Sequence, residues 1–162
     1  MTRLTRRPIG RLSRTSLIAV TIAAAGTMAL ALPANASSTN IDGRGGDTAQ
    51  ARCEAAQNSG PGAANAACLY YDHNASTVSG MWSTSGSVRS FSANPAAYVF
   101  GHGEGEGQTV WNNATALESE WDADAAVFVN SGYAGDDDYV DENRTGEFTS
   151  NLWNNEASIE RW

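Results

Sequence analysis

The sequence contains no lysine. Five of its ten basic residues, Arg3, Arg6, Arg7, Arg11 and Arg14, crowd into the first fourteen positions. Only Arg44, Arg52, Arg89, Arg144 and Arg161 remain to face all eighteen acidic residues, so the chain beyond residue 36 carries −13 against −8 for the whole. Such a charge repels nucleic acid and anionic membrane, and it favours cations or a basic partner protein. Histidine is nearly absent as well: His73 and His102 stand alone, without the His-Glu-x-x-His spacing of a zinc hydrolase. Two cysteines are too few for a structural zinc site. A carboxylate pair such as Glu118 and Glu120, beside Trp121, falls at alternating positions and reads as a strand end rather than as glycosidase machinery. These absences point away from an enzyme.

No apolar run is long enough to stay in a membrane. Leu17 to Leu32 is interrupted by Thr21, Gly26 and Thr27 and falls short of the ~20 residues a bilayer needs. With the arginines before it and Ala34-Asn35-Ala36 after it, it reads as a secretory signal peptide over residues 1–36, cleaved to leave a secreted chain starting at Ser37. The 126 residues that remain of 162 suit one domain, expected to be a monomer without a membrane contact. In an exported chain Cys53 and Cys68 pair, and closing that loop stabilises by about 3 kcal/mol in the chain-entropy model.

Residues 37–52 open small and polar (SSTNIDGRGG) and are expected to form a flexible leader, with one short helix over 47–57. From residue 67 short apolar runs appear: 67–71, 87–91, 97–100, 109–111, 126–129 and 138–140, each bounded by Gly, Asn, Asp or Ser. No helical stripe longer than two turns competes with them. The pattern predicts an all-β sandwich with Greek-key connections.

An internal repeat organises these runs. Trp111-Asn112-Asn113-Ala114-Thr115-Ala116-Leu117-Glu118 matches Trp153-Asn154-Asn155-Glu156-Ala157-Ser158-Ile159-Glu160 at an offset of 42, and each copy is followed by a further tryptophan, Trp121 or Trp162. Upstream strands at 68–74 and 127–132 match at an offset of 58, leaving about 16 extra residues in the first unit, which spans about 67–121 against about 125–162 for the second. The five tryptophans are expected in the core, Trp111 and Trp153 on equivalent faces. Asp136-Asp137-Asp138 lacks the spacing of an EF-hand loop and reads as a solvated turn.

Phe128-Val-Asn-Ser-Gly-Tyr133-Ala-Gly135 resembles the signature of a βγ-crystallin Greek-key motif, in which the second aromatic folds over a hairpin and the glycine takes a backbone conformation other residues avoid. In the first unit Ala75 and Thr77 replace that aromatic and glycine. The arrangement of signal, upstream Cys, Cys-Leu-Tyr-Tyr and two Asn-Asn units is similar to secreted bacterial inhibitors of metalloproteinases with a crystallin-like fold. The resemblance covers about residues 53–162. It implies a βγ-crystallin-like double Greek-key β-sandwich after a short N-terminal leader. It implies inhibition of an extracellular protease as the function, with a calcium-binding or purely structural module as the alternative. The resemblance names no reactive loop; the stretch 73–86, just after the strand that carries Cys68, would offer Val78, Met81 and Trp82 to a protease's hydrophobic subsite, and the competing reading places these three on a second core strand. No cofactor is required, but weak Ca2+ binding is implied where the family carries its calcium sequence: Asn154, Asn155 and Ser158 would form one site, whereas Asn112 and Asn113 would form a poorer one because Ala116 offers no side-chain oxygen. The plain alternative is that each Asn-Asn pair makes a tight turn.

Overall fold

The computed structural model describes residues 36–45, 53, 65–72 and 79–162, which all fall within one compact unit, Leu32–Trp162. The signal peptide, the short helix expected over 47–57, Val78 and the first unit's hairpin positions Ala75 and Thr77 lie outside the described residues. The described residues form eight strands: β1 (Ser38–Asn40), β2 (Ala67–Tyr70), β3 (Met81–Thr84), β4 (Ala116–Ser119), β5 (Ala125–Asn130), β6 (Ala134–Val140), β7 (Arg144–Glu147) and β8 (Ser158–Arg161). They form two four-stranded sheets, ordered β3-β2-β4-β7 and β1-β6-β5-β8.

The two orders reveal the duplication. In the first unit β2 lies between β3 and β4; in the second, β5 lies between β6 and β8, with every one of these pairings antiparallel. The remaining strand of the second unit, β7, crosses to pair with β4 of the first. Its counterpart, the segment around Val88, crosses the other way and bridges Ile159 in β8. Each Greek key thus lends one strand to the other's sheet, and the expected all-β double Greek-key sandwich is what the chain forms.

Period-two alternation builds two cores from one strand. In β2, Ala67 and Leu69 face the main core with Leu117, Val127, Ile159 and the fully buried Trp121. Cys68 and Tyr70 face the opposite side with Cys53, Ala116 and Met81. The Cys53–Cys68 disulfide is formed, with 6.0 Å between Cα atoms.

Three sequence expectations need correction. The start of the leader, Ser37–Gly45, is docked: β1 runs parallel to β6, the Ile41 N–H donates to the Tyr139 carbonyl at 2.9 Å, and the Ile41 side chain enters the main core. Gly43 and Arg44 then pair with Thr145 and Glu147 of β7, so this segment ties the two sheets together along one edge. The acidic run is no solvated turn. Asp136–Asp138 lie in β6, where Asp137 accepts the Ser38 hydroxyl at 2.6 Å and Asp138 accepts the N–H of Thr149 at 2.6 Å and its hydroxyl at 3.1 Å. Burial raises the pKa of both carboxyls. Third, Trp111 (38 %), Trp153 (43 %) and Trp162 (49 %) are exposed, so Trp111 and Trp153 are not core residues.

Candidate functional site

Each Asn-Asn pair makes the same turn. Asn112 and Asn154 take left-handed backbone angles (φ 58° and 52°), which asparagine tolerates better than most residues. This turn swings the preceding tryptophan outward, which is why Trp111 and Trp153 reach solvent. The second asparagine of each pair closes the turn by donating its side-chain amide four residues back: Asn113 to the Thr109 carbonyl and Asn155 to the Asn151 carbonyl, both at 3.0 Å. The two turns also bond to each other across the unit boundary. Asn112 N–H donates to the Glu156 carbonyl at 3.2 Å, and Asn154 N–H donates to the Ala114 carbonyl at 3.0 Å. Since Ala114 and Glu156 occupy equivalent repeat positions, these bonds are related by the pseudo-symmetry of the duplication.

Beside this junction lies a pocket of about 220 Å³ lined by Tyr71, Asp72, Asn113, Thr115, Trp153 and Asn154. Tyr71 and Asp72 are delivered by the end of β2, the strand anchored by the disulfide; Asn113 and Thr115 follow the first turn, and Trp153 and Asn154 form the second. The Asp72 N–H donates to the Ser79 hydroxyl at 2.9 Å, which fixes that corner. The side-chain oxygens that line it belong to a carboxylate, two amides and a hydroxyl. Asn113 has its Nδ2 committed to Thr109, so its Oδ1 stays available. The Thr115 hydroxyl makes one long bond, donating to the Tyr70 carbonyl at 3.4 Å, and keeps its lone pairs. This is a hard-oxygen set of the kind that suits calcium, with water and backbone carbonyls to complete the shell. Among the described residues no group of three or more His, Cys, Asp or Glu is placed to hold a metal ion, so any cation here depends on amide and hydroxyl oxygens.

The sequence-predicted site residues divide. Asn113 and Asn154 meet at the pocket. Asn112 and Asn155 serve the turns. Ser158 is elsewhere: its hydroxyl donates to the Asn130 carbonyl at 2.7 Å and accepts the Tyr133 N–H at 3.2 Å, pinning the β5–β6 hairpin. In that hairpin the Phe128 and Tyr133 rings lie 6.0 Å apart and Gly135 has φ 84°, as the aromatic-glycine signature requires. Thr115 and Asp72 were missed. The repeat itself carried the signal for Thr115, which stands opposite Ala157 and is the one hydroxyl at that position in either copy.

Glu156 holds the junction from inside. It is fully buried, and its Oε1 accepts the N–H of Asn113 at 2.6 Å and of Ala114 at 2.7 Å, while no close hydrogen-bond partner reaches Oε2 among the described residues. Burial pushes its carboxyl up to about 8, against the opposing pull of those backbone donors.

Met81 and Trp82 are not on a loop. Both stand in β3, paired with Tyr70 and Leu69 of β2. Trp82 packs edge-on against Phe91 at 5.5 Å and Tyr98 at 5.7 Å, and Met81 packs against the disulfide cluster. The core-strand reading therefore describes these two side chains.

No family model matches the chain, and no curated protein matches it. Among solved structures it is similar to one concerned with the evolution of the eye-lens βγ-crystallin domain fold, at 15% identity and a TM-score of 0.44, over 59% of this chain and 82% of that one. It is also similar to a βγ-crystallin from Ciona intestinalis, at 11% identity and a TM-score of 0.42, over 60% of this chain and 99% of that one. The fold assignment stands on the strand orders and the exchanged strands. No helix among the described residues is long and apolar enough to cross a membrane.

Proposed function

We propose that this protein is an exported, non-catalytic βγ-crystallin-like module that takes one calcium ion in the pocket at the junction of its two repeats. One observation supports this reading above the others: Asp72, Asn113 and Thr115 of the first repeat and Asn154 of the second line a single pocket. A cation shared between repeats adds to the junction's own hydrogen bonds and raises the stability of the pair. With one carboxylate in the set, affinity falls in the weak range of extracellular calcium modules, about 10⁻⁴–10⁻³ M. Export rests on the N-terminal arginines, the apolar run and the Ala34-Asn35-Ala36 site.

Thermal melting with calcium and then with a chelator tests the proposal. Calcium at a hundredfold excess over its dissociation constant adds about 2.7 kcal/mol, a rise of several degrees in Tm. The Asp72→Asn variant is expected to lose most of that rise, read as the difference between its own melts with calcium and with chelator. Equal melting with and without calcium, together with tight inhibition of a thermolysin-like protease, would replace this reading with the inhibitor one.

A further inference from the structure

A second cleft, of about 480 Å³, lies away from the calcium pocket, between the segment that crosses to β8 and the β5–β6 hairpin. Val88, Arg89, Ser90 and Tyr98 form one side, and Ser131 and Gly132 the other. Its size falls within the usual range for small-molecule sites, about 300–1,000 Å³. Its walls are set by backbone bonds across the two units: Val88 N–H to the Ile159 carbonyl at 2.8 Å, Ile159 N–H to the Val88 carbonyl at 3.0 Å, and Gly132 N–H to the Arg89 carbonyl at 2.7 Å. The Tyr98 ring is held edge-on by Phe91 at 5.6 Å and Trp82 at 5.7 Å. The cleft is therefore formed before any ligand arrives.

Its charge is the reverse of the chain's. Arg161 pairs with Asp122, Arg44 lies in the field of Asp138, and Arg144 lies in that of Asp141. Arg89 differs from these three: among the described residues no carboxylate pairs with it, and its guanidinium sits 6.0 Å from the centre of the Tyr133 ring, beside Gly132. In a chain with eighteen acidic residues, a cationic fork without a carboxylate partner among the described residues at the mouth of a cleft has the chemistry to receive an anion.

The hydroxyls beside it agree in sign. Ser90 Oγ is bonded to Ser92 Oγ at 3.0 Å and to Ser131 Oγ at 2.8 Å. Three hydroxyls carry three protons, and two bonds use two, which leaves one proton to donate. Ser87 accepts the Arg161 N–H at 2.9 Å, and its own O–H has no acceptor among the described residues. The apolar wall of Val88 and Tyr98 supplies contact for a ligand body that a bare inorganic ion lacks.

We infer that this cleft binds the carboxylate of a small organic acid bearing an apolar or aromatic group, the carboxylate on Arg89 and the Ser90–Ser131 hydroxyls and the body against Val88 and Tyr98. The test is an amide-resolved NMR titration of the full chain with phenylacetate. Parallel titrations use 2-phenylethanol, which keeps the body without the charge, and sulfate, which keeps charge without the body. Phenylacetate is expected to give saturable shifts at Val88, Arg89, Ser90 and Gly132, with both controls about tenfold weaker or more. Arg89→Gln should weaken phenylacetate by about tenfold or more, and Ser131→Ala, which leaves the charge in place, by severalfold. Absence of saturable shifts at these amides, sulfate binding as tightly as phenylacetate, or unchanged binding in Ser131→Ala and in folded Arg89→Gln would each overturn the assignment.

Discussion

Glu156 and Ala114 hold the same place in the two repeats, and the carboxylate of the first accepts the backbone N–H of the second at 2.7 Å. The duplication has diverged at this position so that one copy's side chain occupies the turn of the other. The junction between the Greek keys is thus an ionisable contact.

Stability should fall as pH rises through the Glu156 window. The folded carboxyl titrates at about 8 against an ordinary 4.5, so the folded state keeps a proton that the unfolded chain releases. Stability is therefore fullest below the unfolded value and declines until the folded one is passed, by a few kcal/mol at about 1.4 kcal/mol per unit. Glu156→Gln retains the acceptor for Asn113 and Ala114 but cannot ionise. Urea denaturation at pH 5 and pH 8.5 should show a smaller decline in the variant and greater stability than wild type at the higher pH. Asp137 and Asp138, raised by burial, leave a residual slope of the same sign at lower pH.

Two hydroxyls distinguish the junction pocket from the hairpin. Ser158→Ala removes a donor to Asn130 and an acceptor for Tyr133 and should cost about 1–3 kcal/mol by chemical denaturation, with calcium affinity unchanged. Thr115→Ala loses one long bond and a buried methyl group and should cost about 1 kcal/mol in chelator.

Gly135→Ala should destabilise the second unit more than the ordinary ~1 kcal/mol of a left-handed position. Beyond its φ of 84°, a Cβ there would stand 2.6 Å from both Val129 Cγ2 and the Asn130 amide. Hydrogen exchange should show the loss first in the β5–β6 hairpin.

The docked leader predicts that Ile41→Ala costs about 2–5 kcal/mol, the range for emptying a buried aliphatic site. A freely moving segment would show no such cost. Equilibrium denaturation measures it directly.

Much of this architecture was legible in the residues. Short apolar or alternating runs marked β2, β5 and the last residues of β6, the 42-residue offset reappeared as the paired hydrogen bonds of Asn112 and Asn154, and the two cysteines gave the disulfide. The leader was not legible, because Ser38-Thr39-Asn40 has no apolar alternation; its strand exists only through pairing with β6 and one anchoring side chain, Ile41. The runs at 97–100 and 109–111 form no strand beyond the single Val99–Thr109 bridge. The outward tryptophans follow from left-handed asparagines, a backbone property that hydrophobicity does not encode. At the candidate site, counting along Asn-Asn-x-x-Ser singled out Ser158, whereas strand register gives that hydroxyl to the hairpin and leaves Thr115 at the pocket. Asp72 becomes visible only once β2 is placed beside the turns.

Calcium titration calorimetry on the wild type, Thr115→Ala and Ser158→Ala examines the junction site most directly. One saturable site in the wild type, weakened about tenfold or more by Thr115→Ala and untouched by Ser158→Ala, is the expected result. No binding heat in the wild type, or affinity lost with Ser158 and kept without Thr115, would contradict it.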